Sequence, residues 1–348
     1  MVDVSQDLIL RKMDEAWRIF CGYYYMYLAR PFLERKKFGM DGEVAIRRGL
    51  RAYGNIRGKW MRKWHTEEGL PIDVESIVRQ WDSSSVILLE KQHGSISRES
   101  ECKPYHVYEK FAPCSIHDVW KEEGFEREGY MYCDELHQEL AMGYHPNASV
   151  EIHQNLNKGD PYCDFTWTMP RESPEEEIDR SGYEKMQRRM REEPEQELLG
   201  SLKRQTRCDA LLHSCLADSL IRQFGDRGEK LVRKALRELG SKEAERVKDK
   251  LKNAGKKLTP RNVLEGFDLA YGLLWKVNVD VSDGVYKADV EYCPFAEVWK
   301  ELNHEKLGLI YCEEMYGATF RHLAKAANAR VTKCMMSGDS KCRLEFKM

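Results

Sequence analysis

The chain contains itself twice. Residues 114–169 lie on residues 293–348 without a gap at an offset of 179, so that Cys114, Cys133 and Cys163 fall on Cys293, Cys312 and Cys342. The block Val119-Trp120-Lys121-Glu122 falls on Val298-Trp299-Lys300-Glu301, Tyr132 and Glu135 fall on Tyr311 and Glu314, and Gly159-Asp160 falls on Gly338-Asp339. Upstream, Phe38-Gly39, Gly42-Glu43, Arg47, Leu50-Arg51 and Gly54 match Phe224-Gly225, Gly228-Glu229, Arg233, Leu236-Arg237 and Gly240 at an offset of 186. The offset drops by seven, so the first copy carries seven extra residues between the two blocks. A duplicated block with a shared cysteine skeleton restricts the fold to one unit built twice.

Each copy reads as helices, strands, helix, strands. Leu8, Met13, Trp17 and Phe20 recur at helical spacing in a segment from Ser5 to about Lys37 that stops at Gly39. Further helices are expected over Gly42–Trp64 and Asp73–Trp81, then two strands, Val86–Gln92 and Tyr105–Phe111, joined by the polar stretch Gly94–Glu101. The second copy gives the cleaner strand signal, with Val277, Val279 and Val281 alternating before an Asp283-Gly284 turn. The seven extra residues fit a longer loop at this hairpin in the first copy. Helices around Trp120 and Cys133 follow, and the strands Val150–Leu156 and Tyr162–Thr168 close the unit.

The fold class is therefore α+β: two tandem homologous units related by a pseudo-twofold, each a roughly four-stranded antiparallel sheet with helices on one face. Residues 1–169 form the first copy, 170–203 a charged linker and 204–348 the second copy. Pro170–Glu197, rich in Glu, Arg and Pro, reads as solvated, with a helix at Glu184–Glu193. A net charge of −2 from 56 basic and 58 acidic residues argues against a nucleic-acid partner, and no apolar run is long enough to span a membrane. The first residues lack a signal-peptide pattern, so a cytoplasmic location is expected, with the eleven cysteines as thiols, ligands or nucleophiles.

The histidines are one-sided. His117, His137, His145 and His153 of the first copy meet Ala296, Tyr316, Ala324 and Thr332 in the second, while the cysteines survive in both. Cys133 and His137 stand four apart on a predicted helix, within reach of each other. A thiol beside an imidazole can attack an electrophilic carbon. The same pair could ligate zinc or iron with Cys114, Cys163 or His153. No C-x-x-C pair is present, and cysteines at repeated positions are also ordinary small core residues. Gly159-Asp160 has full turn chemistry of its own, and Trp120 is a core position in either copy.

The run Cys114…Trp120-Lys121-Glu122…Tyr132-Cys133…Gly159-Asp160-Pro161-Tyr162-Cys163-Asp164-Phe165 resembles the L-2-amino-thiazoline-4-carboxylic acid hydrolase family. More distantly it resembles the 4-vinyl reductase-type ligand-binding domain, which ends in a similar Gly-Asp-x-x-Cys. The second copy departs from the pattern: Leu344 stands at the place of Phe165, and Cys334 at the place of Asn155. The resemblance implies hydrolytic opening of a small sulfur-containing ring at an amidine-like carbon. The catalytic candidates are Cys133, His137, Cys114, Cys163, Asp160 and Glu135. Trp120, Tyr132 and His153 are candidates for binding the substrate, and Arg47, Arg48 and Arg51 for holding its carboxylate. The cofactor is open between none and a zinc or iron ion on Cys114, Cys133, Cys163 and His137. The partner expected is a small-molecule substrate, with the chain a monomer or homodimer. The rival reading is a non-catalytic sensor of a small ligand, metal or iron–sulfur cluster.

Overall fold

The computed structural model describes residues 5–82, 84–85, 97–170, 178–259, 262–263, 273–282, 285–324 and 330–347. The chain forms two compact units, and each draws on both halves of the sequence. One holds the described residues of Ser5–Arg18 and Ile46–Cys208; the other holds Ile19–Ala45 and the described residues from Asp209 onward. Among the described residues no helix is long and apolar enough to cross a membrane.

The unit with the first-copy sheet begins with α1 (Gln6–Trp17), where the Ser5 hydroxyl caps the Leu8 N–H at 3.3 Å. It continues with α2 (Asp41–Glu68, from Ile46 onward) and α3 (Val74–Arg79), capped by Asp73 on the Ser76 N–H at 2.7 Å. Its sheet comprises β1 (Ser97–Lys103), β2 (His106–Ala112), β3 (Ser149–Gln154) and β4 (Cys163–Thr168), all antiparallel in the order β1-β2-β4-β3. Helices α4 (Ser115–Glu122) and α5 (Glu126–Tyr144) lie between β2 and β3 in the chain. Cys163, Phe165 and Trp167 alternate inward along β4 and are buried.

One strand was misplaced by the sequence pattern. The polar run Ser97–Lys103, assigned mostly to a loop, is the strand paired with β2, and the turn is only Pro104-Tyr105. The expected strand Val86–Gln92 lies outside the described residues. An edge strand needs no apolar face, and charges along it discourage pairing with other chains, which is why the hydrophobic pattern missed it. Lys103 pairs with His106 as Ser282 pairs with Val285, so the 179 offset already holds at β1. The seven extra residues therefore precede β1 and do not lengthen this hairpin.

Helices α2 and α5 meet backbone to backbone. A Cβ on Gly58 would sit 2.2 Å from the Leu140 carbonyl oxygen, and one on Gly143 would sit 2.2 Å from that of Asn55. Only glycine permits that approach. Within the segment expected to be a solvated linker, the expected helix is present and packed: α6 (Ser181–Glu192) and the start of α7 (Pro194–Asn253, kinked at Gly225) bury Tyr183, Met186, Leu198 and Leu202. Their charges occupy the outer faces, for example Arg189 on Glu68, and they masked the apolar stripe.

The other unit repeats the sheet as β5 (Lys276–Ser282), β6 (Val285–Tyr292), β7 (Arg330–Lys333) and β8 (Cys342–Lys347), in the order β5-β6-β8-β7. Its helices α8 (Pro294–Glu301), α9 (Glu305–Tyr311) and α10 (Gly317–Ala324) answer α4 and α5, with a π-helical turn at Cys312–Tyr316. Even the irregularity is duplicated. The β3–β4 register slips between Ile152 and Gln154, leaving His153 as the bulge, and the β7–β8 register slips at the equivalent place, leaving Thr332. Phe20 and Tyr24 complete this unit's core against Phe295, Tyr311 and His213.

Candidate active site in the first copy

The three shared cysteines of the first copy converge from three elements. Cys114 precedes α4, where the Ile116 and His117 backbone N–H groups act on its sulfur; Cys133 lies on α5; Cys163 opens β4. Burial pushes the Cys133 thiol up to about 12, and the neighbouring Cys114 adds to the rise while Asn155 and Asn157 oppose it. Burial likewise raises Cys163, reinforced by Cys114 and Cys133. All three are neutral thiols at pH 7 in an interior they share.

Two buried asparagines face Cys133. Asn157 donates from Nδ2 to Cys133 Sγ at 3.6 Å, and its Oδ1 accepts from His117 Nδ1 at 2.9 Å. A carbonyl oxygen only accepts, so His117 carries its proton on Nδ1 and thereby points the Asn157 amide nitrogen at the sulfur. Asn155 is fully buried; its Oδ1 accepts the Asn157 N–H at 2.9 Å, and its side chain acts on the Cys133 thiol. Both amides thus have their oxygens committed and their NH₂ groups left for the thiol. In the second copy the equivalents of His117, Asn155 and Asn157 are Ala296, Cys334 and Met336, so this polar network belongs to the first copy alone.

His137 does not bond the Cys133 sulfur. Its Nδ1 donates to the Cys133 carbonyl oxygen at 2.6 Å, one helical turn back, which leaves Nε2 as the basic nitrogen. The ring lies among Phe165, Trp81 and Trp167, with centroids at 4.9, 6.0 and 6.0 Å. Burial, with Arg57 adding to it, lowers its pKa to about 4, so it is a neutral imidazole at pH 7. Behind Trp81, Arg57 stacks at 5.1 Å and forms a buried two-point ion pair with Asp82 at 2.6 and 2.8 Å.

The remaining candidates stand elsewhere. Glu135 accepts from Arg47 at 2.7 Å and from Arg51 at 2.5 Å; burial would raise its pKa, but these two cations outweigh it and hold it down. Arg47 and Arg51, expected to hold a substrate carboxylate, are therefore committed to Glu135. Arg233 and Arg237 clamp Glu314 identically in the second copy, at 3.0 and 2.6 Å. Asp160 accepts the Asn155 N–H at 2.7 Å, and Asp339 accepts the Cys334 N–H at 2.8 Å. Trp120 and Tyr132 pack edge to face at 5.7 Å in the core, with Trp120 on Gly129, and Trp299 meets Tyr311 at a tilted 5.5 Å and packs on Gly308 at the equivalent positions. His153 sits on the strand bulge, 38% exposed, bonded to Thr166 at 2.8 Å. Among the described residues no group of three or more His, Cys, Asp or Glu side chains is arranged to hold a metal ion.

Sequence reasoning missed the two asparagines and passed over the role of His117. The available signal was the duplication itself, because each of the three is replaced by an apolar or thiol residue in the other copy.

Two stretches of the chain, residues 23–167 and 203–346, match the L-2-amino-thiazoline-4-carboxylic acid hydrolase family. The chain belongs to that family. Together the stretches take in both sheets, both cysteine sets and the helices that position them, so membership of the thiazoline carboxylate hydrolase family applies to each copy. No curated protein and no solved structure was found to match the chain.

Proposed function

We propose that the chain hydrolyses a ring C–N bond of a small amidine-type heterocycle carrying a carboxylate, with the chemistry confined to the first copy. The observation that carries this reading is the His117–Asn157–Cys133 network with Asn155 acting on the same thiol, present in one copy of a hydrolase-family chain and absent from the other. A site that only built the fold would be expected twice, as Glu135 and Glu314 are. We infer from the same comparison that Glu135 and Asp160 are structural and that Cys133 is the nucleophile.

A high thiol pKa suits this substrate class. An amidine ring nitrogen is itself basic, so as Cys133 Sγ bonds to the ring carbon, the thiol proton passes to that nitrogen and the C=N electron pair follows it. Charge developing on sulfur is met by the NH₂ groups of Asn155 and Asn157, which are already oriented before the reaction starts. Collapse expels the ring nitrogen as an amine and leaves a carbon–sulfur adduct on Cys133. Water then adds to that carbon, giving its proton to neutral His137 Nε2, and departure of the product returns the proton to sulfur. The net change is substrate plus water to ring-opened product.

The test is turnover of a panel of thiazoline, oxazoline and imidazoline carboxylates, with product mass and rapid-quench mass spectrometry of the enzyme. The proposal expects ring-opened product and a transient adduct on the peptide containing Cys133. No turnover of any ring, or binding without turnover, would reject it in favour of a ligand-binding role.

A further inference from the structure

The second copy holds a thiol cluster of its own that the hydrolytic reading does not use. Lys333 pairs with Arg343 at the end of the β7–β8 ladder, so Cys334 and Cys342 come next and face each other across the hairpin. Facing residues on antiparallel strands have Cα atoms about 4.5–5.5 Å apart, inside the range of about 4.4–6.8 Å that a disulfide spans. The short 3₁₀ turn Met335–Ser337 fixes this opposition: Met335 N–H donates to Cys342 Sγ at 3.3 Å, and Asp339 holds the Cys334 N–H at 2.8 Å. Cys312, on the π-helical turn, and Cys342 both hydrogen-bond to the Cys334 sulfur, and Cys293 lies within electrostatic reach. The first copy cannot build this pair, because Asn155 occupies the position of Cys334.

We propose that Cys334 and Cys342 form an oxidation site, in which a hydroperoxide converts Cys334 to a sulfenic acid and Cys342 resolves it to a disulfide across the hairpin. Cys334 sulfur attacks the terminal peroxide oxygen, the O–O bond breaks, and the thiol proton leaves with the departing alcohol or water. Cys342 sulfur then attacks Cys334 sulfur; its proton and the sulfenic hydroxyl leave as water, and the S–S bond forms. Two thiols and one hydroperoxide thus give one disulfide, one alcohol and one water. Cys334 is the attacking sulfur because it accepts two S–H donations, first from Cys312 and then from Cys342, which stabilise its anion. Cys342 resolves because it faces Cys334 across the hairpin, one step beyond the Lys333–Arg343 pair, where it can reach the sulfenic sulfur.

The experiment treats the full reduced chain with a few equivalents of hydrogen peroxide, blocks remaining thiols, and digests with trypsin without reductant. Cleavage after Lys333, Lys341 and Arg343 separates the two cysteines, so their disulfide appears as a cross-linked pair of short peptides lighter by two hydrogens. The expected result is that pair forming at least tenfold faster than any other cysteine is oxidised. In Cys342→Ser a sulfenic-acid trap should mark Cys334, and Cys334→Asn, which restores the first-copy residue, should abolish the cross-link. A dominant Cys312–Cys334 bond, a trapped sulfenic acid on Cys342, or no disulfide in the wild type would overturn the proposal. So would stoichiometric zinc in the purified chain that protects all four thiols.

Discussion

The hydrogen bond between His117 and Asn157 can be tested by making the first copy resemble the second, one residue at a time. His117→Ala leaves Asn157 Oδ1 buried without its 2.9 Å donor, and Asn157→Met leaves the His117 Nδ1–H buried without its acceptor. Stranding a buried polar partner costs about 1–3 kcal/mol, and losing the His117 ring adds a cavity cost. His117→Ala/Asn157→Met removes both partners and reproduces the Ala296/Met336 pair that the second copy tolerates. Removing both partners of a buried bond is close to neutral, so the double variant should lose less than the sum of the single losses, with a coupling of about 1–3 kcal/mol. Urea unfolding of all four proteins, read by near-UV signal, gives the cycle. Additive losses within about 0.5 kcal/mol would refute the claim that His117 and Asn157 form one buried unit. The same three variants should each lose turnover, because orientation of the amide toward Cys133 depends on both residues.

Acid should destabilise the first-copy unit through His65 and His137, which burial depresses to about 4. Unfolded histidine titrates near 6.5, so the unfolded chain binds more protons between these values; each ring contributes stability that is full above about 6.5 and falls by on the order of 3 kcal/mol by pH 4. His137→Phe should flatten the pH dependence of the urea midpoint over that window, and an unchanged slope would count against burial of the neutral ring. Gly58→Ala should destabilise by at least about 2 kcal/mol because its Cβ would meet a backbone oxygen at 2.2 Å, whereas Gly200→Ala, with only the Arg204 guanidinium at 3.5 Å, should stabilise by about 0.5–1 kcal/mol. Thermal melts that rank the two alike would contradict the close α2–α5 contact. Glu135→Gln should lower stability to a degree similar to Glu314→Gln and leave kcat within a few-fold, since both carboxylates clamp paired arginines. A loss of kcat of about 10²-fold from Glu135→Gln alone would restore it as a proton carrier.

The duplication made most of the fold legible. Where helix and strand periodicity agreed with it, as at α2, β3 and β4, the boundaries came within a few residues. Legibility failed where sequence character and structural role diverge. The polar edge strand β1 carries no apolar face to read, and the Val86–Leu89 run beside it drew the strand assignment away. The segment around Tyr183, Met186 and Leu198 buries a thin stripe beneath many charges. At the site, the histidine asymmetry pointed to the copy that holds the His117–Asn157–Cys133 hydrogen bonds, but spacing alone aimed His137 at the Cys133 thiol. A residue four positions along a helix also lies near its neighbour's carbonyl oxygen, and that is where its Nδ1 goes. The asparagines escaped notice because an Asn-x-Asn before a Gly-Asp turn has ordinary turn chemistry, and only three-dimensional packing turns both amides onto one sulfur.

The claim that the two copies divide their roles is tested most directly by one comparison of mirror-image substitutions. Cys133→Ser and Cys312→Ser change the same position of the duplicated skeleton. Steady-state turnover of the thiazoline carboxylate that the wild type accepts best should fall by at least about 10²-fold in Cys133→Ser, the usual scale for loss of a positioned catalytic group. It should stay within a few-fold of wild type in Cys312→Ser when both variants are shown to be folded. Equal losses from the two substitutions would mean that the copies share the chemistry, and full activity in Cys133→Ser would remove the nucleophile from the account.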